Sequence, residues 1–140
     1  MATAAPFGSL AAAIAEVSVE AGQVVVHDIW QAVDPGMVVN PRLVAAQVQS
    51  ATALGLSQVL VEHAEYENGE PVARNYDLYP ILPAERMPRV HVKVIESGAP
   101  IGGVGEIGVP AVPPAVVNAL SALRGQRYRN MPLSQYSFGT

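Results

Sequence analysis

Ile101-Gly102-Gly103-Val104-Gly105-Glu106-Ile107-Gly108 places four glycines around one carboxylate, the arrangement in this chain best suited to chemistry. Glycine reaches backbone angles closed to other residues and lets a ligand or a second backbone come close. A carboxylate on such a turn is held by backbone geometry and can point into a pocket. Glu106 is also the last acidic residue of the chain, so no neighbour in sequence shares its role.

The same stretch contains a second pattern. Gly103-Val104-Gly105-Glu106-Ile107-Gly108 spells G-x-G-x-x-G, the dinucleotide fingerprint, which needs a helix opening directly on the glycines and an acidic residue about 20 positions on. Here Pro110, Pro113 and Pro114 delay the helix, and no Asp or Glu follows Glu106. A carboxylate inside the loop would also repel a pyrophosphate. A nucleotide site is set aside on these grounds.

Other chemistries find less support. The absence of cysteine removes disulfides, thiolate metal sites and cysteine nucleophiles. His27 lies in a strand-like run without a second ligand at metal spacing, and His91 falls on the polar side of another strand. No metal site is assigned. No nucleophile-elbow motif is present, and Asp34 with Glu106 alone defines no reaction.

The elements that must position Glu106 can be read in order. Residues 15–20 alternate apolar and polar with period two, and residues 24–33 form a β-branched run bounded by Asp34-Pro35-Gly36. With the turn at Ala21-Gly22-Gln23 they make a hairpin. Asn40-Pro41 is a helix start, and the helix is predicted to run to about Glu62. Its apolar residues Leu43, Val44, Ala46, Val48, Ala51, Leu54 and Leu56 spread around the circumference, which predicts a largely buried helix with small residues for close packing. Gln47 and Gln49 within it are expected to meet backbone groups if buried.

Residues 61–66 and 72–78 flank Asn68-Gly69, a second hairpin signal. Prolines 80 and 83 stiffen an extended crossing, and residues 90–95 alternate as a half-exposed strand. After the glycine loop, Pro113-Pro114 opens a helix over residues 115–123, stopped by Gly125, with Arg124 favourable in the last turn. Residues 126–140 read as a C-terminal tail carrying Arg127 and Arg129. The expected fold is α+β: two β-hairpins and one further strand packed with two helices, in a single domain over residues 1–140.

Composition bounds the partners. Half of the residues are hydrophobic and only 14% are charged, which is apolar for a free-standing domain of 140 residues. Surface normally covered by another chain, or self-association, would account for it. A net charge of -4 argues against nucleic acid. The first 15 residues lack a basic region and make a poor signal peptide; no uninterrupted apolar run reaches the length of a transmembrane segment.

Several motifs in one order carry a resemblance. They are Val33-Asp34-Pro35-Gly36-Met37-Val38-Val39-Asn40-Pro41, then Gln47, then Gly103-Val104-Gly105-Glu106, the proline-rich helix start and Met131-Pro132-Leu133. This order resembles the C-terminal end of the molybdenum-binding subunit of the xanthine oxidase/aldehyde oxidoreductase family. Phe7-Gly8-Ser9 and Asn75-Tyr76-Asp77-Leu78-Tyr79-Pro80 are similar to the subgroup of isoquinoline 1-oxidoreductase beta-subunits and related membrane-associated aldehyde dehydrogenases. The resemblance covers nearly the whole chain.

It implies that Glu106 is the catalytic base beside molybdenum. There it would take a proton from the metal's hydroxyl ligand as oxygen passes to an electron-poor carbon and hydride to the sulfido ligand. A dry, apolar pocket would raise the pKa of such a carboxylate and make it a stronger base. Gln47 would bind molybdopterin, in its cytosine dinucleotide form, through the amide, with the backbone of Gly103, Val104 and Gly105 near the cofactor. The family usually carries paired glycines after this glutamine; Gln49-Ser50-Ala51 departs from that.

The family's subunit is several times longer, with most cofactor loops upstream. The chain is therefore expected to be a C-terminal piece or a split subunit of a bacterial molybdenum hydroxylase acting on an aldehyde or N-heterocycle, inactive and without cofactor alone. Its partners would be the rest of the molybdenum subunit and an iron-sulfur subunit, in the cytoplasm or at the periplasmic face of the membrane. The alternative is a non-catalytic assembly module in which Glu106 merely caps a turn. Glu106→Gln separates the two.

Overall fold

The computed structural model describes residues 1–139. Four strands form one sheet in the order β1-β2-β3-β6: β1 (Ala2–Ala4), β2 (Leu10–Glu20), β3 (Gln23–Asp34) and, after α1 (Pro41–Leu60) and a short two-stranded ribbon, β6 (Arg89–Val94). β2 and β3 pair antiparallel as the predicted hairpin, and β6 adds parallel to β3, the pairing that a crossover through α1 permits. α2 (Val112–Arg124) follows the glycine loop. The mixed α+β class is as expected.

The hairpin is longer than its alternating residues suggest, and a shift of register explains why. Glu16 pairs with Asp28 but Val17 pairs with Val26, leaving His27 as the extra residue of a bulge. One added residue flips the inward face. Val24 and Val26 are buried before it, Ile29, Gln31 and Val33 after it. The Ala-rich start of β2 puts Ala11 and Ala13 inward, small enough for α2 to lie close over the strand. β1, which the sequence reading did not foresee, pairs its three residues with this Ala-rich half.

The core lies between the sheet and the two helices. Asn40 caps α1 by accepting from the N–H groups of Arg42 and Leu43 at 3.1 and 3.2 Å. α1 was expected to be buried nearly all round and is not. Val44, Val48, Ala51, Leu56, Val59 and Leu60 face the core, while Leu43 and Leu54 are 64% and 48% exposed. Leu43, Gln47, Ser50 and Leu54 form one solvent-facing stripe at helical spacing. The helix is also long and apolar enough to cross a bilayer, but half of it is buried inside the fold.

The second hairpin is a correction. It shrinks to β4 (Tyr66–Glu67) and β5 (Glu70–Pro71) around Asn68-Gly69, two exposed residues a side. The Asn-Gly turn forms as its sequence demands, but residues 63–72 are exposed and the ladder stops after two pairs. Residues 126–139 carry little regular structure, yet they are anchored: Tyr128, Leu133 and Phe138 are buried in the core, and Tyr128 packs against Tyr136 and Phe138.

Candidate active site

The glycine loop is fixed at its start by two separate strands of chain. Asp34, at the end of β3, accepts from the N–H of Gly36 at 2.9 Å and from the Ser97 hydroxyl at 3.0 Å. These bonds, the Gly36 N–H first and the Ser97 hydroxyl second, hold the Asp34 carboxyl below its usual range. The turn after β3 is thereby tied to the segment after β6. Next, the N–H of Gly102 donates to the Pro35 carbonyl at 2.9 Å, and the N–H of Gly103 to the Phe7 carbonyl at 2.8 Å.

Glycine is required at both positions by close approach. A Cβ on Gly102 would stand 2.7 Å from the Gly8 carbonyl oxygen, and one on Gly103 would stand 2.8 Å from the Phe7 Cβ. The loop lies against the Phe7-Gly8-Ser9 turn with no room for side chains. Gly102 and Gly103 are thus glycine for reasons internal to the chain. Gly105 differs: the nearest atom to a Cβ there is the Gln47 amide nitrogen, at 4.0 Å.

Of the predicted residues, Gln47 and Val104 line one groove. Gln47 projects from the exposed stripe of α1, its amide nitrogen the nearest atom to where a Cβ on Gly105 would stand. Neither Gln47 nor Gln49 is buried, and neither side chain has a hydrogen-bond partner among the described residues, so the expectation of backbone partners does not apply. Val104 packs on the core edge. Glu106 is exposed and free of any ion pair among the described residues. The dry pocket expected around its carboxylate is not formed by this chain alone.

Beside the loop lies an apolar groove of about 230 Å³, lined by Met37, Val39, Leu43, Gln47, Ile101 and Val104 among others. Val39 is 83% exposed. The backbone N–H groups of Val104, Gly105 and Glu106 have no acceptor among the described residues. Together these put a side-chain amide and a water-shedding wall beside the loop that carries Glu106, with three N–H groups of that loop unspent. Such a surface can hold a polar, oxygen-rich ligand by its edge.

Residues that sequence reasoning left aside also support the site. Gln31 is fully inside, donating to the Thr52 hydroxyl at 2.7 Å while Thr52 donates to the Val48 carbonyl at 2.8 Å. Its carbonyl oxygen has no partner among the described residues and lies against Gly108, where an added Cβ would approach to 2.9 Å. The signal was present, since Gln31 alternates with Ile29 and Val33. On the opposite face of the sheet Asp28 is gripped by Arg89 at 3.0 and 2.6 Å and by His91 at 2.7 Å. These two partners, Arg89 foremost, lower its carboxyl to about 2. His91 also stacks on Trp30, with ring centroids 5.2 Å apart. His27 bonds to Ser18 at 2.8 Å. Neither histidine joins a metal-binding group, and among the described residues there is no cluster of three potential ligands.

Comparison with known proteins adds what geometry cannot. The molybdopterin cofactor-binding domain family matches residues 2–88, a span that includes Gln47 and ends before the glycine loop. The beta subunit of isoquinoline 1-oxidoreductase from Brevundimonas diminuta is 35% identical over 108 residues, covering 77% of this chain and 14% of the relative. A membrane-bound aldehyde dehydrogenase [pyrroloquinoline-quinone] from Gluconacetobacter polyoxogenes is 37% identical over 122 residues, covering 86% of this chain and 16% of the relative. Quinoline 2-oxidoreductase from Pseudomonas putida 86 superposes with a TM-score of 0.76 at 25% identity, over 89% of this chain and 17% of that one. The chain therefore spans about a sixth of the length of the proteins it matches.

Proposed function

The chain belongs to the molybdopterin cofactor-binding domain family, and we propose that it is the C-terminal part of the molybdenum-binding subunit of a hydroxylase, supplying Glu106 as catalytic base. The reaction is oxidation of an aldehyde or an N-heterocycle, in which water provides the oxygen and two protons and two electrons leave. The observation that carries this reading is that Gln47, Gly102 and Val104 line one open groove, with the Gln47 amide nitrogen 4.0 Å from where a Cβ on Gly105 would stand, one residue before Glu106. That surface fits the edge of a pterin cofactor: it has unpaired donors, an amide with donor and acceptor, and no side chain at Gly105 to obstruct approach.

When bound, the molybdenum cofactor, here in its cytosine dinucleotide form, supplies the two-electron oxidant. The chain's own residues do the rest of the work assigned to them. Gln47 would hold the cofactor's polar edge through its amide, donating from the NH2 and accepting at the carbonyl. The N–H groups of Val104 and Gly105 would be free to donate to it, while the Gly103 N–H is already committed to Phe7. The carboxylate oxygen of Glu106 accepts the proton released as water is activated, and Met37, Val39, Leu43 and Ile101 keep bulk water from that proton path once a partner covers the groove. Closing the groove is what turns an exposed carboxylate into a desolvated base.

The remaining molybdenum-subunit segment and an iron-sulfur subunit are the partners this reading requires. The exposed Leu43–Leu54 stripe and Val39 would lie under the former. Size-exclusion chromatography with light scattering and molybdenum analysis, on the chain alone and co-expressed with its genomic neighbours, tests the reading. A larger complex holding both molybdenum and this chain is expected. A chain that never joins such a complex would leave the second reading, a non-catalytic module with an apolar docking face.

A further inference from the structure

Ser9 is 2% exposed, yet its hydroxyl reaches across 94 residues of sequence to donate to the Gly103 carbonyl at 2.8 Å. The same glycine donates its N–H to the Phe7 carbonyl. Both polar groups of Gly103 are therefore bound to one four-residue turn. That turn is itself unusual. The Ser9 N–H donates to the Pro6 carbonyl at 2.9 Å, and both central residues are left-handed, Phe7 at φ 57° and Gly8 at φ 76°. Gly is at home there, but an aromatic residue is not, and such a conformation persists only where its surroundings over-determine it. Phe7 is also 62% exposed, so burial of its ring does not explain the strain. The left-handed backbone is what aims the Phe7 carbonyl at the loop.

We propose that Ser9 is a positioning residue for Glu106: with the Phe7 carbonyl it fixes both sides of the Gly103 unit, three residues before the carboxylate, and so sets where that carboxylate stands. This rests on the reading of Glu106 as the base. Val104 and Gly105 make no backbone hydrogen bonds among the described residues, and Glu106 accepts at its carbonyl from the Val109 N–H at 3.1 Å, so Gly103 is the last tethered residue on the N-terminal side of the carboxylate. The Ser9 hydroxyl also lies against Gly102 at the edge of the groove, so it reaches Glu106 only through the backbone of the loop's first two glycines.

The test uses Ser9→Ala in the 140-residue chain and in its assembled complex. In the chain, hydrogen exchange followed by NMR should show the Gly103 amide exchanging about fivefold faster, with α1 and the β2–β3 pair unchanged. In the complex, kcat should fall about tenfold with KM within about twofold and molybdenum content unaltered, since a misplaced base slows proton transfer without weakening binding. Unchanged kcat overturns the proposal, whatever the exchange. If Ser9→Ala does not fold, Ser9→Cys keeps most of the volume with a much weaker donor and is read in the same way; protection lost across the chain in both variants also overturns it, because Ser9 would then hold the fold. Glu106→Gln in the same complex keeps the two ideas apart. Full activity there sinks the reading of Glu106, whereas an inactive Glu106→Gln beside a fully active Ser9→Ala sinks only the positioning role.

Discussion

The base proposed here would work by its position: Glu106 has no ion pair among the described residues. Its backbone is held on both sides, by Gly102 and Gly103 before it and by the Val109 N–H donating to its own carbonyl after it. Gln47 is the complementary case, a side chain whose amide is exposed and unspent. Replacing it by alanine should leave thermal stability within about 0.5 kcal/mol, as at other exposed sites. Retention of cofactor by the assembled protein should drop at least about tenfold, since each charge-assisted or amide contact to a cofactor edge is worth roughly 1.5 kcal/mol. Molybdenum content after dialysis checks it. Equal retention would remove Gln47 from the site.

Between elements, two contacts decide the architecture. β6 is held to β3 on the outer face by Asp28, whose partners Arg89 and His91 both come from β6. Because the Asp28 carboxyl is lowered to about 2 in the folded chain, its contribution is complete above the unfolded value near 4 and is lost as pH falls toward 2. Denaturant midpoints measured from neutral pH down through this window should fall below about pH 4, and Asp28→Asn should flatten that part of the profile. On the inner side α1 meets α2 at Gly55, where an added Cβ would come within 3.0 Å of the Val112 Cβ. Gly55→Leu should therefore cost about 3 kcal/mol of stability by overpacking, measured as a lowered denaturant midpoint. A loss under about 0.5 kcal/mol would mean that the helices separate freely.

These elements were legible to different degrees, for physical reasons. Asn40-Pro41 and Gly125 marked helix ends because capping is local chemistry. The β2–β3 hairpin was visible from period-two alternation, but its bulge was not, since a one-residue slip at His27 follows from pairing rather than from residue type. The exposed face of α1 was misjudged because Leu43 and Leu54 look like core, and only the position of the sheet shows that they are not. For the site, Glu106 and its glycines stood out by composition. The reason for Gly102 and Gly103 lay in the distant Phe7-Gly8-Ser9 turn that packs against them, a long-range contact that no local pattern encodes.

At the scale of the whole molecule, exposed apolar residues occur along the length of the chain, and one group of them lies where chemistry is proposed. Met37, Val39, Leu43 and Ile101, all more than half exposed, ring the groove beside the glycine loop. Patches of this kind mark surfaces that another chain covers. Leu43→Glu should leave the melting curve of the chain nearly unchanged while weakening its entry into a molybdenum-bearing complex at least about tenfold, read by co-elution. Undiminished co-elution would place the partner elsewhere. The most direct measurement of the central claim is turnover of the assembled complex carrying Glu106→Gln, with molybdenum content determined on the same sample. A base lost from the site should lower kcat by at least about a hundredfold while molybdenum and the chain's fold remain as in the unmodified complex. Turnover within about twofold of the unmodified complex would contradict the assignment of Glu106 as the base.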